Sequence, residues 1–314
     1  MRKADSYLKE SIVNILEKGH LDENPRPYWL DTYENAKYDK FKEIVVLDNG
    51  KEINVSNARE VIEHDNYIEV RVPAHTKSVN GVLHTFDIAK GEFPITTLRQ
   101  IYIKKAIGEI LWIYQDASNN LDLLRDKYNV NWWDSWDIGD RTIGACYGET
   151  VRRHNLVYNL LDGIEKDPYG RRHIMNMWQE EDFEDKHGLK PCCYQTQFLV
   201  NGEYIDMILY QRSSDYIVSG NINEMQYVAL LMMVARHCGY KPGKFYHFMA
   251  NQQIYDRHYE QAKELLERKP TTDIEDIKLV LNPEKRDFYD ITVDDFTLEK
   301  YTYNKPQLTF EVAI

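Results

Sequence analysis

The sequence predicts an α+β fold in one domain spanning residues 1–314. Three observations lead there. Segments with a helical apolar period alternate irregularly with strand-like segments, one pair of strands is joined by an Asn-Gly turn, and no internal repeat or low-complexity tract interrupts the chain.

The elements follow in order. Residues 6–19 read as an amphipathic helix with Leu8, Ile12, Ile15 and Leu16 on one face and Gly19 as its stop. Tyr33 to Val70 stands apart, with charged residues, Asn49-Gly50 and the alternating run Glu43 to Leu47, and suggests an inserted hairpin with a small helix. From Leu98 to Gln115 a second helical pattern is apolar enough to be buried, yet carries Glu109. Tyr194 to Val200 and Tyr204 to Arg212 alternate around Asn201-Gly202, a strong hairpin signal that puts Arg212 at a strand end. A long apolar helix is expected from Glu224 to Cys238, with Asn223 near its N-terminal end. A charged helix over Asp256 to Arg268 and a strand-like QLTFEVAI close the chain.

Composition narrows the function classes. The chain is 43% hydrophobic and 29% charged, which suits a large soluble core and argues against disorder. Its longest apolar run, Tyr227 to Ala235, falls far short of the roughly 20 residues a membrane span needs, so no membrane helix is expected. Charges break the N-terminus every few residues, unlike a signal peptide, and a cytoplasmic location is expected. The four cysteines, 146, 192, 193 and 238, form no CxxC pair and have no histidines at metal-ligand spacing, so neither a disulfide framework nor a metal site is indicated. A net charge of −12 without a basic stripe disfavours nucleic acid. A few converging arginines can still hold one phosphate.

Cys192, in Lys190-Pro191-Cys192-Cys193-Tyr194, leads into the hairpin whose far strand ends in Gln211-Arg212-Ser213. Read alone, a cysteine entering a buried strand is a core thiol; a returning guanidinium would instead favour its thiolate.

The motifs PCCYQTQF, QRSSD, NINEMQY and IYDRH stand in that order, with EFPITTLRQIYIKKAIGEILWIYQ, WWDSWDIGDRTIGACYG, DPYGRRHIMNMW, LNPEKRDFYDITVDDF and a terminal VAI around them. Together they resemble the thymidylate synthase family over almost all of the chain outside about 31–70. The resemblance implies a large mixed, largely antiparallel sheet packed by helices, with one sheet face forming a homodimer interface. It also implies reductive methylation of dUMP to dTMP, with 5,10-methylenetetrahydrofolate as one-carbon and hydride donor and dihydrofolate as product. No metal is implied.

By the same resemblance Cys192 adds to uracil C6, and Arg212 holds the thiolate and the phosphate. Cys193 receives no chemistry. The phosphate would lie among Arg26, Arg212 and Ser213 of one chain and Arg171-Arg172 reaching across a dimer; without the resemblance, an Arg-Arg pair is a solvated surface feature, and Arg71 rivals Arg26. Asn223 corresponds to the residue that donates to O4 and accepts from the N3 hydrogen, where an Asp would suit cytosine. Its plainer reading is a helix N-cap. Glu109 and Tyr147 correspond to the proton-transfer residues. The folate surface would comprise Trp133, Trp136, Leu189, Asp215, Ile222, Tyr255 and the terminal Ile314, although the tryptophans also suit a core.

Three departures stand out. Gln253 occupies the position, two before Tyr255, where the family commonly has a histidine for the ribose 3′-OH. VSGNI precedes Asn223 in place of a Gly-then-Pro-Phe arrangement, and the segment of about 31–70 is inserted after Arg26. Two alternatives accompany the reading: a dUMP hydroxymethylase of the same fold, and an inactive nucleotide-binding relative.

Overall fold

The structure, a computed structural model, describes residues 1–183 and 189–314. The chain begins with helix α1 (Lys3–Lys18) and a short strand β1 (His20–Leu21). Leu8, Ile12 and Ile15 are fully buried along one face of α1, as their spacing predicts. Six strands follow: β2 (Tyr28–Glu34), β3 (Lys37–Asp39), β4 (Ile44–Val46), β5 (Glu52–Asn54), β6 (Glu60–Glu63) and β7 (Tyr67–Pro73). They form two antiparallel three-stranded sheets, β2-β7-β6 and β3-β4-β5.

The inserted segment therefore contains no helix. Val45, Val55, Ile68 and Val70 give it a small core of its own, and β-branched residues alternating in and out suit strands better than a helix. Between β5 and β6 the chain makes a turn, with Ala58 N–H donating to the Val55 carbonyl at 2.9 Å. Gly50, at φ +80°, closes the Asn49-Gly50 turn in the left-handed conformation that turn requires.

The main sheet is built from β1, β8 (Thr76–Asp87), β9 (Ile174–Asn176), β10 (Cys193–Asn201), β11 (Tyr204–Gln211), β12 (Ser214–Asp215) and β13 (Lys241–Tyr255). Its order is β1-β8-β13-β11-β10-β9, with β12 also on β13. Strands β11 and β12 run parallel to β13 and the other pairs are antiparallel, so the sheet is mixed and the fold is α+β. Asn201 pairs with Tyr204 around Gly202 at φ +63°, which makes the predicted hairpin.

Helix α2 (Ile103–Tyr114) and helix α6 (Asn221–His237) cover one face of this sheet. Between them α3 (Leu121–Tyr128), α4 (Gly148–Arg153) and α5 (Leu156–Lys166) flank the core, and α7 (Tyr259–Glu267) packs near α1. The core joins Ile107, Leu111 and Tyr114 of α2 to Val228, Leu231 and Met232 of α6, over Phe198, Met207, Leu209 and Phe245 of the sheet. Truncating any of these leucines costs about 2–5 kcal/mol. Strands β14 (Lys278–Leu281) and β15 (Phe296–Glu299) pair at the edge of the core.

Several boundaries differ from the sequence pattern. Leu98, Arg99 and Ile101 are buried but not helical, because side chains of the C-terminal segment capture the amides of this stretch: Gln307 Oε1 accepts from Gln100 N–H and Tyr301 OH from Ile101 N–H. Asp256–His258 forms a tight 3₁₀ turn before α7. QLTFEVAI forms no strand. Leu308 and Phe310 instead pack into the cluster of α1 and α7, and only Ile314 pairs with backbone, at Tyr28, by bonds of 2.9 and 3.0 Å. A π-helical turn, Tyr216–Gly220, leads directly into α6, and Gly220 is needed there because a Cβ would lie 2.2 Å from the Tyr216 ring.

Candidate active site

Cys192 stands just before β10, where the hairpin's two strands end side by side. Arg212 N–H donates to the Cys192 carbonyl at 2.9 Å, while its guanidinium donates to the carbonyls of Pro191 (3.0 Å) and Lys190 (2.8 Å). Cys192 N–H in turn donates to the Tyr147 hydroxyl at 3.1 Å. Burial pushes the Cys192 thiol up, and the nearby Arg212 charge and Tyr147 hydroxyl oppose that rise. Cys193 points into the core, and burial raises its thiol much further.

The strand end carries the patch onward. Ser213 Oγ donates to Gln253 Oε1 at 3.3 Å, and Asp215 pairs in register with Gln253. Gln211 Nε2 donates to the Ser213 carbonyl (3.0 Å) and to Asn223 Oδ1 (3.3 Å), and Asn223 Nδ2 donates to Gln226 Oε1 (3.0 Å). Asn223 thus lies inside the first turn of α6 and spends its amide on side chains rather than on a cap. One hydrogen on Nδ2 and one lone pair on Oδ1 remain free to face a ligand.

Glu109 is buried on α2, and burial pushes its carboxyl up. Its Oε2 accepts from Trp132 Nε1. Sequence reading gave Trp132 no role at this carboxyl. Trp133 lies edge-on to Tyr147, with ring centroids 5.0 Å apart, and against Trp136 at 5.7 Å. Gln211 and Gln226 were likewise missed; buried amides carry no sequence signal until their partners are known.

A family model described as "Thymidylate synthase" matches residues 54–314. A thymidylate synthase of Lactococcus lactis subsp. lactis (strain IL1403) is 43% identical over the whole of both chains, and one of Streptococcus sanguinis (strain SK36) is 44% identical, again over the whole of both. The solved structure of the thermostable thymidylate synthase A from Bacillus subtilis matches with a TM-score of 0.77 and 30% identity, covering 99% of each chain. The chain belongs to the thymidylate synthase family. Its inserted lobe falls within these end-to-end alignments.

Set on the thymidylate synthase fold, the remaining residues divide into two groups. Near the patch, Tyr255 shares the face of β13 with Gln253 and lies edge-on to Trp29 at 5.4 Å, and Ala313, next to Ile314, packs on the same pair. Leu189 and Ile222 are half-buried against the core. In the second group, Arg26, Arg171 and Arg172 are exposed, and their guanidinium groups make no hydrogen bond or ion pair among the described residues. Arg71 is occupied, paired at 2.8 Å with both Glu60 and Glu69. The inserted lobe reaches the Arg26 loop directly: Arg59 donates to the carbonyls of Arg26 (2.7 Å) and Pro25.

The residues present fit a reduced folate. Asp215 Oδ1 and Trp133 Nε1 are buried polar atoms without a partner among the described residues, one an acceptor and one a donor. Burial raises the Asp215 carboxyl to about 7 against the opposing Arg99 charge. The described residues include no helix long and apolar enough to cross a membrane.

Proposed function

We propose that this chain methylates dUMP to dTMP, with Cys192 as nucleophile and 5,10-methylenetetrahydrofolate as co-substrate. The observation that supports it best is the hydrogen-bonded run from Tyr147 through Cys192 and Arg212 to Ser213, Gln253 and Asn223. These are the groups needed to attack a pyrimidine, hold its sugar and read its edge. Bound folate supplies the methylene carbon and the hydride.

At rest Cys192 is a thiol; the Arg212 charge lowers the cost of its thiolate, which adds to uracil C6 and makes C5 nucleophilic. Tyr147, on the same backbone amide, accepts the C5 proton in concert with ordered water, and Glu109 exchanges a proton near O4. Arg26, Arg212 and Ser213 hold the phosphate, completed by the partner's Arg171 and the partner's Arg172. Trp133, Trp136, Leu189, Asp215, Ile222, Tyr255 and Ile314 surround the folate.

A homodimer accounts for the uncovered face of the main sheet. Leu83, Phe248 and Ile174 stand out from it at 55%, 37% and 41% exposure, with Tyr210 and Phe248 in aromatic contact at 6.2 Å. We take residues 1–314 as one catalytic domain carrying the inserted lobe. Four free cysteines suit a reducing cytoplasm.

The deciding experiment incubates the protein with dUMP and methylenetetrahydrofolate and follows dihydrofolate and product mass together. Equal amounts of dTMP and dihydrofolate are expected. A hydroxymethyl product without dihydrofolate would overturn the assignment. A denaturation-stable ternary complex with 5-fluoro-dUMP and folate is also expected, and its absence would point to an inactive relative.

A further inference from the structure

Directly behind Asn223 lies a buried polar cluster that the chemistry above does not use. Glu224 and His247 are fully buried and His84 is 3% exposed. Glu224 Oε1 sits 2.7 Å from His84 Nδ1 and 3.3 Å from His247 Nδ1, and Oε2 accepts from Asn221 at 3.3 Å. The far nitrogen of His247, Nε2, is 2.7 Å from Gln211 Oε1. Burial alone would push the Glu224 carboxyl up, but the bonds from His247 and His84 hold it down to about 2.

The direction of the amide chain follows from two backbone carbonyls. The Ser213 carbonyl takes a hydrogen from Gln211 Nε2, so Gln211 Oε1 must face His247 and can only accept. The Ala106 carbonyl takes a hydrogen from Gln226 Nε2 at 3.2 Å, so Gln226 Oε1 must face Asn223 Nδ2. His247 therefore needs a hydrogen on Nε2 for Gln211, while its Nδ1 lies 3.3 Å from Glu224 Oε1. Burial lowers the pKa of this ring below the ordinary histidine value although Glu224 opposes it, so a neutral ring with its hydrogen on Nε2 meets the Gln211 oxygen.

We propose that Glu224, His84 and His247 are positioning residues that fix the direction of the Gln211–Asn223–Gln226 amide chain, and so make the pocket read uracil rather than cytosine. The inference rests on Asn223 being the base contact. In the observed direction Asn223 keeps a donor for O4 and an acceptor for the N3 hydrogen. Reversed, it would present an acceptor and a donor in exchanged places, the pattern that fits the amino group and bare N3 of cytosine.

Two measurements test this. In full-length protein labelled with nitrogen-15 histidine, His247 Nε2 should carry a hydrogen at neutral pH; an Nε2 without one would overturn the proposal. His247→Phe keeps a planar ring and removes the donor. Its ratio of dUMP to dCMP affinity should fall about three- to tenfold while affinity for inorganic phosphate is unchanged. Glu224→Gln should retain the ratio, because its amide donates to His247 Nδ1 and leaves Nε2–H in place. Glu224→Leu should lose it. If Asn223→Asp leaves the ratio unchanged, the base-contact reading itself fails. If Asn223→Asp changes the ratio and folded His247→Phe does not, only the positioning role fails. Should His247→Phe not fold, the nitrogen-15 result on the unmutated protein decides.

Discussion

The amide of Cys192 and the hydroxyl of Tyr147 are joined by a 3.1 Å hydrogen bond, and the tyrosine that makes it sits at φ +52°. A bulky residue in that region costs on the order of 1–3 kcal/mol and persists only where its surroundings hold it there. Trp133 packed on the ring and the Cys192 amide on its oxygen do so here. Cys192 and Tyr147, proposed above as nucleophile and acceptor of the C5 proton, are thus held together by one strained backbone position at the start of α4.

From this pair, Cys192→Ala should abolish turnover while dUMP binding stays measurable. Tyr147→Phe should lower kcat by about 100-fold or more, with a smaller change in KM, as expected for loss of a proton-transfer group. Cys193→Ala should keep most activity and cost about 1 kcal/mol of stability, since that thiol faces the core. Steady-state kinetics and urea unfolding check all three; exchanged results for the two cysteines would mean that the nucleophile is misassigned.

Gln253 already accepts a hydrogen bond from Ser213 and has an NH₂ group with which to donate. Gln253→Ala should raise the KM for dUMP about two- to twelvefold, typical of one neutral hydrogen bond, with less effect on kcat. It should also lose preference for dUMP over the 3′-deoxy analogue, whereas Gln253→His stays active. Equal treatment of the two substrates by the unmutated protein would remove Gln253 from the ribose site.

The inserted lobe is predicted to support phosphate binding through Arg59. Arg59→Ala frees the Pro25 and Arg26 carbonyls and should raise the KM for dUMP about two- to fivefold, within what the loss of charge-assisted bonds allows. Binding of deoxyuridine, which lacks the phosphate, should be unaffected. A matching loss for deoxyuridine would show that the lobe acts on folding instead.

Asp215 supplies a pH signature. Its folded carboxyl titrates near 7, above the ordinary carboxylate value near 4, so the folded state binds the extra proton. Its contribution therefore favours the folded state at low pH and is lost as pH rises from about 4 to about 7. Asp215→Asn should raise stability by about 1–3 kcal/mol at pH 8 and leave it unchanged at pH 4, in urea titrations. The KM for folate in the unmutated protein should rise as pH falls below about 7, where the acceptor becomes protonated. A flat KM profile would argue against Asp215 as a folate acceptor.

Local pattern carried much of this molecule. The apolar period of α1 and the buried run of α2 were legible because a helix repeats its facing side chains every three to four residues, and the Asn201-Gly202 hairpin because that turn selects its own backbone geometry. The family was legible because its motifs stand in order along the chain. Tertiary structure alone decided what depends on distant partners. QLTFEVAI has strand-like residues, yet it packs as an irregular strap with only Ile314 paired to backbone. That Trp132 donates to Glu109 was not legible, because the direction of a side chain outside regular structure has no period to follow. His84, Glu224 and His247 are each unremarkable in sequence; β8, α6 and β13 bring them into one buried cluster, where a charge survives without water because three elements supply its partners.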